Sequence, residues 1–524
     1  MCKPLIILCA LSILFISAGT GPVLGCTSIM VGTKASADGS VMTSHTCDSH
    51  RTSSAIEVVP PAQYPAGATI TLTKRSDDNS GPMERYGREV TGTIPQVAET
   101  YGYLNPAYAC MNEFQVAIGE STFGGREELQ SDKGLIDCET LTRLMLERAT
   151  TARDAIRIGG ALIEEYGWND AGEVLTISDE KEAWAMEIIG PGKDKVGAIW
   201  AAQRVPDDHV AVYANAARIR LIDLDNPEFY MTSANVISTA VEMGFYDPES
   251  GFPFQFCYAY DPGGRRSMAA KRREWRALDL LAPSLKLHPE SENYPFSVKP
   301  EEPVTPLRVM EIFRDTYEGT DYDFVKHFTV TDEKTGQTVK SPLANPFMPY
   351  DANKLFKING GWGWRGERTI ARWYTMYATI TQSRAWLPDA VGGIVWFGYD
   401  NCAMTTFVPI YAGVTDLPED YRTDGRTTGF SRDSAWWAFN RVATLAAHRW
   451  GDMRQDVAAV RDPLQEQFLT GVTGIDATAA RLYQDNTAEA RAFLTGYVKG
   501  ACQAVVKAYW DLGDRLWTQY DEKW

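Results

Sequence analysis

The sequence predicts an α+β fold, a mixed core of strands and helices followed by a helical tail, and three observations carry that prediction. Short strand-like runs recur through the first 430 residues and pair across turn-forming segments. A helix of clean 3.6 period sits among them at 151–166. From Ser434 onward the pattern turns helical, rich in Ala, Leu and aromatics. With 524 residues, 44% hydrophobic and 11% aromatic, the chain can bury a large core, which excludes disorder, collagen and a small disulfide scaffold.

The elements follow in order. Lys3 precedes an apolar run, Leu5 to Ala18, interrupted only by Ser12 and Ser17 and ended by Gly19, Gly21 and Pro22. The run is too short to span a bilayer and suits the apolar stretch of a signal peptide. Small residues at Val23 and Gly25 place a cut after Gly25, so residues 1–25 are expected to be removed and Cys26 to lead an extracytoplasmic chain, periplasmic or secreted. Val23-Leu24-Gly25-Cys26 also resembles the lipobox of bacterial lipoproteins, in which the cysteine becomes a lipid anchor. The two readings exclude each other, because an acylated amine and a thioether sulfur do no catalysis. The Gly-Thr-Gly-Pro break between run and junction departs from the lipobox pattern. No later stretch has the ~18 consecutive apolar residues of an integral membrane span.

Cys26 to Val31 and Ser40 to Ser44 read as strands joined by Gly32 to Gly39, whose Ala37-Asp38-Gly39 supplies turn chemistry, so Cys26 opens a hairpin. Thr151 and Asp154 are placed as a capping box and Gly167 as the stop of a helix whose apolar face is Ala152, Ala155, Ile156, Gly159, Leu162, Ile163 and Tyr166. A second hairpin is expected from Val174 to Ile177 and Ala183 to Ile189. Further strands are expected at Val210 to Ala214, Gly393 to Phe397 and Thr405 to Tyr411. Prolines at 283, 289, 295, 300, 303 and 306 mark a long connection or insertion. Helices are expected at Trp436 to Arg454 and Ala488 to Tyr520. The organisation is then a signal peptide 1–25, a catalytic domain 26–430 with its Pro-rich insertion around 283–306, and a helical extension 431–524. No internal repeat or low-complexity tract is present.

Lys plus Arg number 51 against 68 Asp plus Glu, a net charge of −17 that repels phosphate backbones, so nucleic acid is not an expected partner. The local basic cluster Arg265, Arg266, Lys271, Arg272, Arg273 and Arg276 reads as a solvated or internally paired face in so acidic a chain. Removal of residues 1–25 leaves seven of nine cysteines, an odd number, so at least one thiol stays unpaired or pairs between chains. No two are spaced as a CxxC site. The six histidines show no HExxH or comparable ligand spacing, and neither a metal nor a cofactor is expected. Gly190-Pro-Gly-Lys193 lacks the frame of a phosphate loop, no GxGxxG follows a strand, and Gly119-Glu-Ser-Thr-Phe123 does not complete a GxSxG elbow.

What remains is the residue after the cut. A cysteine at a new N-terminus carries nucleophile and base together, since an α-amine titrates near ~8 and can take the thiol's proton without a histidine. The thiolate attacks an amide carbonyl, donors hold the oxyanion, the amine protonates the leaving nitrogen, and water clears the thioester.

Three long segments then bring a family into view: Cys26-Thr-Ser-Ile-Met-Val-Gly-Thr-Lys-Ala-Ser-Ala-Asp-Gly-Ser-Val-Met-Thr-Ser-His45, Met111-Asn-Glu-Phe-Gln-Val-Ala-Ile-Gly-Glu-Ser-Thr-Phe-Gly-Gly-Arg126 and Thr381-Gln-Ser-Arg-Ala-Trp-Leu-Pro-Asp-Ala-Val-Gly-Gly-Ile-Val-Trp396. In register from Cys26 to about Tyr411, the chain resembles the dipeptidase A and secernin family of N-terminal-nucleophile hydrolases. The resemblance implies a four-layer αββα sandwich, with Cys26 at the end of an inner strand. It also implies metal-free hydrolysis of dipeptides or other short peptides.

By the same resemblance Cys26 matches the nucleophile, and Asp48 falls where the wider superfamily, which includes bile-salt and penicillin acylases, orients the nucleophile's amine. Asn112 resembles an asparagine of the oxyanion hole, Asn215 a second asparagine near the centre, and Arg384 an arginine supporting the nucleophile's surroundings. His45 stands where those relatives carry an arginine near the sulfur, a place that His45 or Arg51 is expected to fill. Glu113 and Arg126 are expected to be structural. Trp362, Trp364, Trp373 and Trp386 line a pocket or pack the core. The alternatives are an amide hydrolase or acylase of non-peptide substrates on the same fold, and a lipid-anchored binding protein that uses Cys26 only for attachment. The sequence leaves the oligomeric state and the peptide preference open.

Overall fold

The computed structural model describes residues 25–347 and 367–523. The expected signal peptide up to residue 24, and Trp362 and Trp364, lie outside the described residues.

Two large antiparallel sheets form the body. The seven-stranded sheet runs Ser297–Val298, Val210–Tyr213, Ser28–Val31, Val41–Asp48, Thr375–Ser383, Ile394–Tyr399, Val408–Tyr411. The eight-stranded sheet runs Tyr230–Thr232, Ile199–Val205, Ala183–Ile189, Gly172–Ser178, Ala117–Gly124, Met111–Asn112, Tyr103–Asn105, Glu57–Val59. The sheets face each other through polar contacts as well as apolar ones. Thr43 Oγ1 meets Thr176 Oγ1 at 2.6 Å, and Ser28 Oγ donates to the Glu120 carbonyl at 2.9 Å. A Cβ on Gly119 would lie 2.6 Å from the Ser44 carbonyl oxygen, so glycine there lets the two sheets approach.

Helices cover the outer faces. Ala152–Tyr166 packs on the eight-stranded sheet, with Gly160 pressed against Trp200. On the seven-stranded sheet, Met268–Leu281 packs on Val210–Tyr213, Pro306–Phe313 on Thr375–Ser383, and the C-terminal helices on the last two strands. Val41–Asp48 is buried at every position, because one face meets the opposite sheet and the other lies under helices. A strand so placed loses the alternation that marks a half-exposed one. Among the described residues no helix is long and apolar enough to cross a membrane.

The first hairpin forms as expected, with Val31 opposite Met42. Thr151 caps the helix Ala152–Tyr166, its side chain accepting from Asp154 N, and Gly167 ends it at φ 81°. Ser178 faces Ala183 across the second hairpin. The proline-punctuated stretch holds a single 3-10 turn, Pro283–Leu285, and one short strand, Ser297–Val298, and is otherwise irregular up to the helix that starts at Pro306.

Two expectations change. The strand expected from Thr405 starts only at Val408, because Phe407 N and its carbonyl are engaged by the Gln465 side chain instead of a neighbouring strand. The tail comprises Ala435–His448, Trp450–Asp485 and Thr487–Gln519, so the middle helix is far longer than its sequence suggests and runs through Pro463. The exposed hairpin Thr69–Asp78 with Arg85–Pro95 was not expected from the sequence.

Candidate active site

Cys26 lies just before Ser28–Val31, at the end of that strand facing the end of Val41–Asp48. The antiparallel register places Thr27 beside Thr46, whose N–H donates to the Thr27 carbonyl at 3.0 Å. The sulfur points between the sheets. Its Sγ donates to Glu120 Oε1 at 3.0 Å, and His45 Nε2 lies 3.1 Å from the same oxygen, too bent for a straight hydrogen bond. Exposure is 6% for Cys26, 2% for His45 and 1% for Glu120, so this cluster is dry. Tyr108 and Tyr377 hold the His45 ring edge-on at 5.4 and 5.8 Å.

Burial, and then the nearby Glu120 carboxylate, push the Cys26 thiol well above its ordinary range. Burial also works to raise Glu120, but the adjacent His45 and the hydrogen bond from the Cys26 S–H outweigh it, so Glu120 is held below the usual carboxylate range. While residue 25 is attached, the sulfur is therefore a protonated donor and a poor nucleophile.

The peptide linking Gly25 to Cys26 is gripped on both sides. Arg368 Nη2 donates to the Gly25 carbonyl and, at 2.7 Å, to Asp48 Oδ2. Arg273 Nη1 donates to the Cys26 carbonyl at 2.7 Å, and Ser121 Oγ reaches the same oxygen at 3.4 Å. A Cβ at residue 25 would meet Asn215 Oδ1 at 2.6 Å and Arg368 Nη2 at 2.9 Å, so the slot before Cys26 accepts only glycine without movement.

Asp48 is fixed by Arg368 and by Thr375 Oγ1, which donates to Oδ1 at 2.7 Å where the strand pairing slips between Thr375 and Tyr377. Such irregularities commonly re-aim a side chain beside a functional site. Asn215 follows Val210–Tyr213 in the left-handed region at φ 65°. Its Oδ1 accepts from Arg273 Nη2 at 2.6 Å, its Nδ2 donates to the Thr122 carbonyl at 2.6 Å, and its N–H to Ser121 Oγ at 3.0 Å. The backbone cost of that conformation is met by a side chain bonded at both ends.

The structure thus brings Cys26, Asp48, Asn215 and His45 together, and it places two other expected residues elsewhere. Asn112 Nδ2 donates to the Leu146 and Ala149 carbonyls at 3.0 and 2.8 Å, while its Oδ1 accepts from Phe114 N and Val116 N, both at 3.0 Å. The amide pins the helix Cys138–Leu146 to its strand and has no free donor for an oxyanion. Arg384 follows the far end of Thr375–Ser383, about 25 Å of strand from Asp48 at ~3.3 Å per residue. It is engaged there by Gly392 O, Val391 O and Asp476. Both residues are structural in this arrangement.

Arg51 turns to Asp77 and Glu84 near the surface, which leaves His45 as the basic side chain beside the sulfur cluster. Glu113 binds Gly102 N and Arg491, and Arg126 binds the Ala259 carbonyl and covers Phe245, both as structural groups.

Sequence reasoning missed Glu120, Arg273 and Arg368. Glu120 sits inside the failed GxSxG comparison and Arg273 inside the basic cluster, where Arg265, Arg272 and Arg276 do pair internally, with Glu274, Glu367 and Asp315. Arg273 alone of these four meets no carboxylate and instead binds Cys26 O, Thr27 Oγ1, Ala214 O and Asn215 Oδ1. Burial, then the like charge of Arg368, draw it down to about 9. Arg368 Nη1 is buried with no hydrogen-bond partner among the described residues.

Beside Asp48 opens a cavity of about 650 Å³, lined by His50, Trp373, Tyr374, Thr375, Asp400 and Trp436, among others. Trp373 thus lines a pocket, whereas Trp386 lies on the surface. All seven cysteines from Cys26 onward are free thiols and buried.

Comparison with known proteins is consistent along the chain. Residues 25–462 match the family model described as peptidase family C69. A probable dipeptidase of Latilactobacillus sakei is 26% identical over 481 residues, covering 90% of each chain. A probable dipeptidase A of Streptococcus pyogenes is 26% identical over 498 residues, 92% of this chain and 96% of the relative. Dipeptidase A of Lactobacillus helveticus is 23% identical over 428 residues, 80% of this chain and 81% of its own.

Proposed function

The chain belongs to peptidase family C69, and from that premise we propose that it is a cysteine-type dipeptidase whose nucleophile is an N-terminal Cys26, exposed by removal of residues 1–25 outside the cytoplasm. The observation that carries this reading is the grip on the Gly25–Cys26 peptide. Two buried arginines hold the carbonyls on either side of the bond, next to the one sulfur that lies between the sheets against Glu120. The two facing sheets with helices outside them are, on this reading, the αββα sandwich of N-terminal-nucleophile hydrolases. The family match begins at residue 25, one residue ahead of the proposed nucleophile.

Cutting after Gly25 replaces an amide by an α-amine on the same residue as the thiol. The proton moves from Sγ to that amine, and the resulting ammonium stabilises the thiolate that burial had suppressed. The thiolate attacks the dipeptide carbonyl carbon. Arg368, released from the Gly25 oxygen and carrying the unpartnered Nη1, donates to the oxyanion in place of Asn112. The ammonium then protonates the leaving amino group, which departs as the second amino acid. Water, deprotonated by the amine, opens the thioester and frees the first. Asp48 acts through Arg368, and Asn215 through Arg273, to hold this geometry. The aromatic cavity adjoining Asp48 is the proposed seat for a substrate side chain. The dry setting of the sulfur favours chemistry at that atom over attachment of a lipid chain.

Intact-mass analysis and stepwise degradation of active material should begin at an unmodified Cys26. Dipeptides should turn over faster than N-acyl amides. Cys26→Ser should remove turnover by orders of magnitude in a folded chain, because a hydroxyl ionises far less readily. An active chain with any other first residue, or a lipid mass on Cys26, refutes the reading.

A further inference from the structure

The nucleophile cluster has the makings of a second activity. Cys26 Sγ, His45 Nε2 and one Glu120 carboxylate oxygen all lie within 4.8 Å of one another, buried. We propose that this cluster is an inhibitory zinc site, completed by the Cys26 α-amine once residue 25 is gone. The proposal rests on the N-terminal reading for that fourth ligand and for the inhibition, while the three side-chain ligands stand without it.

Three features support it. The donor set, one thiolate, one imidazole and one carboxylate, is the borderline-soft mixture that Zn²⁺ takes. The spacing is close to what the ion needs. Ligands at ~2.0–2.3 Å in a tetrahedron stand roughly 3.3–3.6 Å apart, and Sγ and Nε2 lie 3.0 and 3.1 Å from the Glu120 oxygen. A few tenths of an ångström of spreading at the Glu120 oxygen, with Sγ and Nε2 already within 4.8 Å of each other, brings the three toward that geometry. Finally, His45 Nε2 and Glu120 Oε2 are buried atoms without a directed hydrogen bond among the described residues. Buried polar atoms left unmatched are costly, and a cation at the centre would match His45 Nε2.

In the uncut chain the fourth position is an amide nitrogen, which does not ligate. After cleavage, amine and sulfur belong to one residue and would close a five-membered chelate ring around the ion. Zn²⁺ would displace the one proton that Sγ and the α-amine share, releasing it to solvent with no change in redox state. The two groups needed for acyl transfer would then both be held by the metal, so the loaded enzyme would be silent and a chelator would restore it. Departure of Gly25, which sits against Asn215 and Arg368, opens the way in.

The test uses the processed chain, stripped with a chelator and titrated with Zn²⁺ alone against a chromophoric zinc indicator. One Zn²⁺ per chain is expected, with turnover falling in step with occupancy. X-ray absorption of the loaded protein should show one sulfur at ~2.3 Å with nitrogen or oxygen at ~2.0–2.2 Å. Loss of groups that merely orient ligands weakens metal sites about 10–100-fold, so His45→Gln and Glu120→Gln, checked for folding, should each weaken binding at least about tenfold. His288→Gln, on a distant loop, should not.

A spectrum without sulfur, unchanged affinity in the two variants, or full turnover with zinc bound would overturn the proposal. The uncut chain should also bind at least tenfold more weakly. Equal binding by cut and uncut chains would overturn the chelate, with the His45 and Glu120 variants still reporting on the side-chain ligands. Failure of the N-terminal reading itself would instead be seen in the first residue of active material, without any metal.

Discussion

The paired strands Val41–Asp48 and Thr375–Ser383 carry a buried arginine–aspartate pair near each end, and the two ends behave differently. At one end Arg384 meets Asp476 at 2.5 Å, and its remaining donors reach the Gly392 and Val391 carbonyls. At the other end Arg368 meets Asp48 at 2.7 Å, grips the carbonyl ahead of Cys26, and among the described residues keeps Nη1 without a partner. Residue types are the same and both arginines are buried, though Asp48 is enclosed while Asp476 is partly exposed. On the proposed reading, what separates the two is that Arg368 has a donor to spare beside Cys26, whereas the donors of Arg384 are spent on Asp476 and backbone carbonyls.

The strongest way to break this contrast is to keep the functional end from opening. Gly25→Val puts a branched side chain where a Cβ already meets Asn215 Oδ1 at 2.6 Å. Removal of residues 1–25 should stall and turnover vanish, read by mass and by dipeptide hydrolysis. Normal turnover in the uncut variant would make the N-terminal amine unnecessary.

Next comes an exchange at each end. Arg368→Met should lower kcat by about 10²–10³ if it supplies the oxyanion donor, with Arg368→Lys recovering part of the loss. Arg384→Met should instead cost stability, about 3–5 kcal/mol for stranding a buried partner, with kcat per folded molecule preserved. Denaturant unfolding and steady-state kinetics on both variants would show any reversal of the pattern.

Asn112→Ala should sharpen the same distinction. It removes the partner of two carbonyls and two N–H groups, at ~1–3 kcal/mol for each that stays unmatched, so melting temperature should fall while turnover stays near normal. A hundredfold loss of kcat without loss of stability would return Asn112 to the catalytic centre.

The smallest effect concerns pH. Burial raises Asp261 from its ordinary 3.8 to about 7, against the backbone N–H groups of Ala217 and Gly264, which lower it. The native carboxyl then holds its proton where the unfolded one has lost it. Its stabilising contribution is full below about pH 4 and is lost as pH rises toward 7. The stability difference between the parent and Asp261→Asn should therefore drift in the variant's favour across that window. A flat difference in melting temperature from pH 4 to 7 would count against the raised value.

How much of this could be read from the sequence depends on how locally each feature is encoded. The helix Ala152–Tyr166 was legible to the residue, since cap, period and stop all lie within its own span. The first hairpin was legible in its existence but not in its bounds, since its strands are Ser28–Val31 and Val41–Asp48. Val41–Asp48 was read too short because a strand buried on both faces has no alternation to mark its end. The long tail helix was underestimated because its apolar face is thin and Pro463 looks like a break.

At the site, Cys26 stands out in the sequence because the expected cut falls just before it, and the structure sets its sulfur against Glu120. Arg273 and Arg368 were not, since nothing in a basic run or a loop tells which guanidinium will find a carboxylate and which a carbonyl. Asn112 and Arg384 were misplaced for the converse reason. Their motifs are genuine, but the side chains hold backbone in place, a use that the letters alone do not distinguish from catalysis.

The clasp between Arg384 and Asp476, which Tyr411 also joins at 2.8 Å, has one more consequence. The aspartate belongs to the longest helix of the tail, while the arginine is rooted beside the central strand pair. A nick by a protease or a premature stop anywhere ahead of residue 476 would therefore orphan a cation deep inside the body. The appendage is in this sense a keystone, and shortened forms of the polypeptide should be lost to quality control before their missing length matters to any substrate.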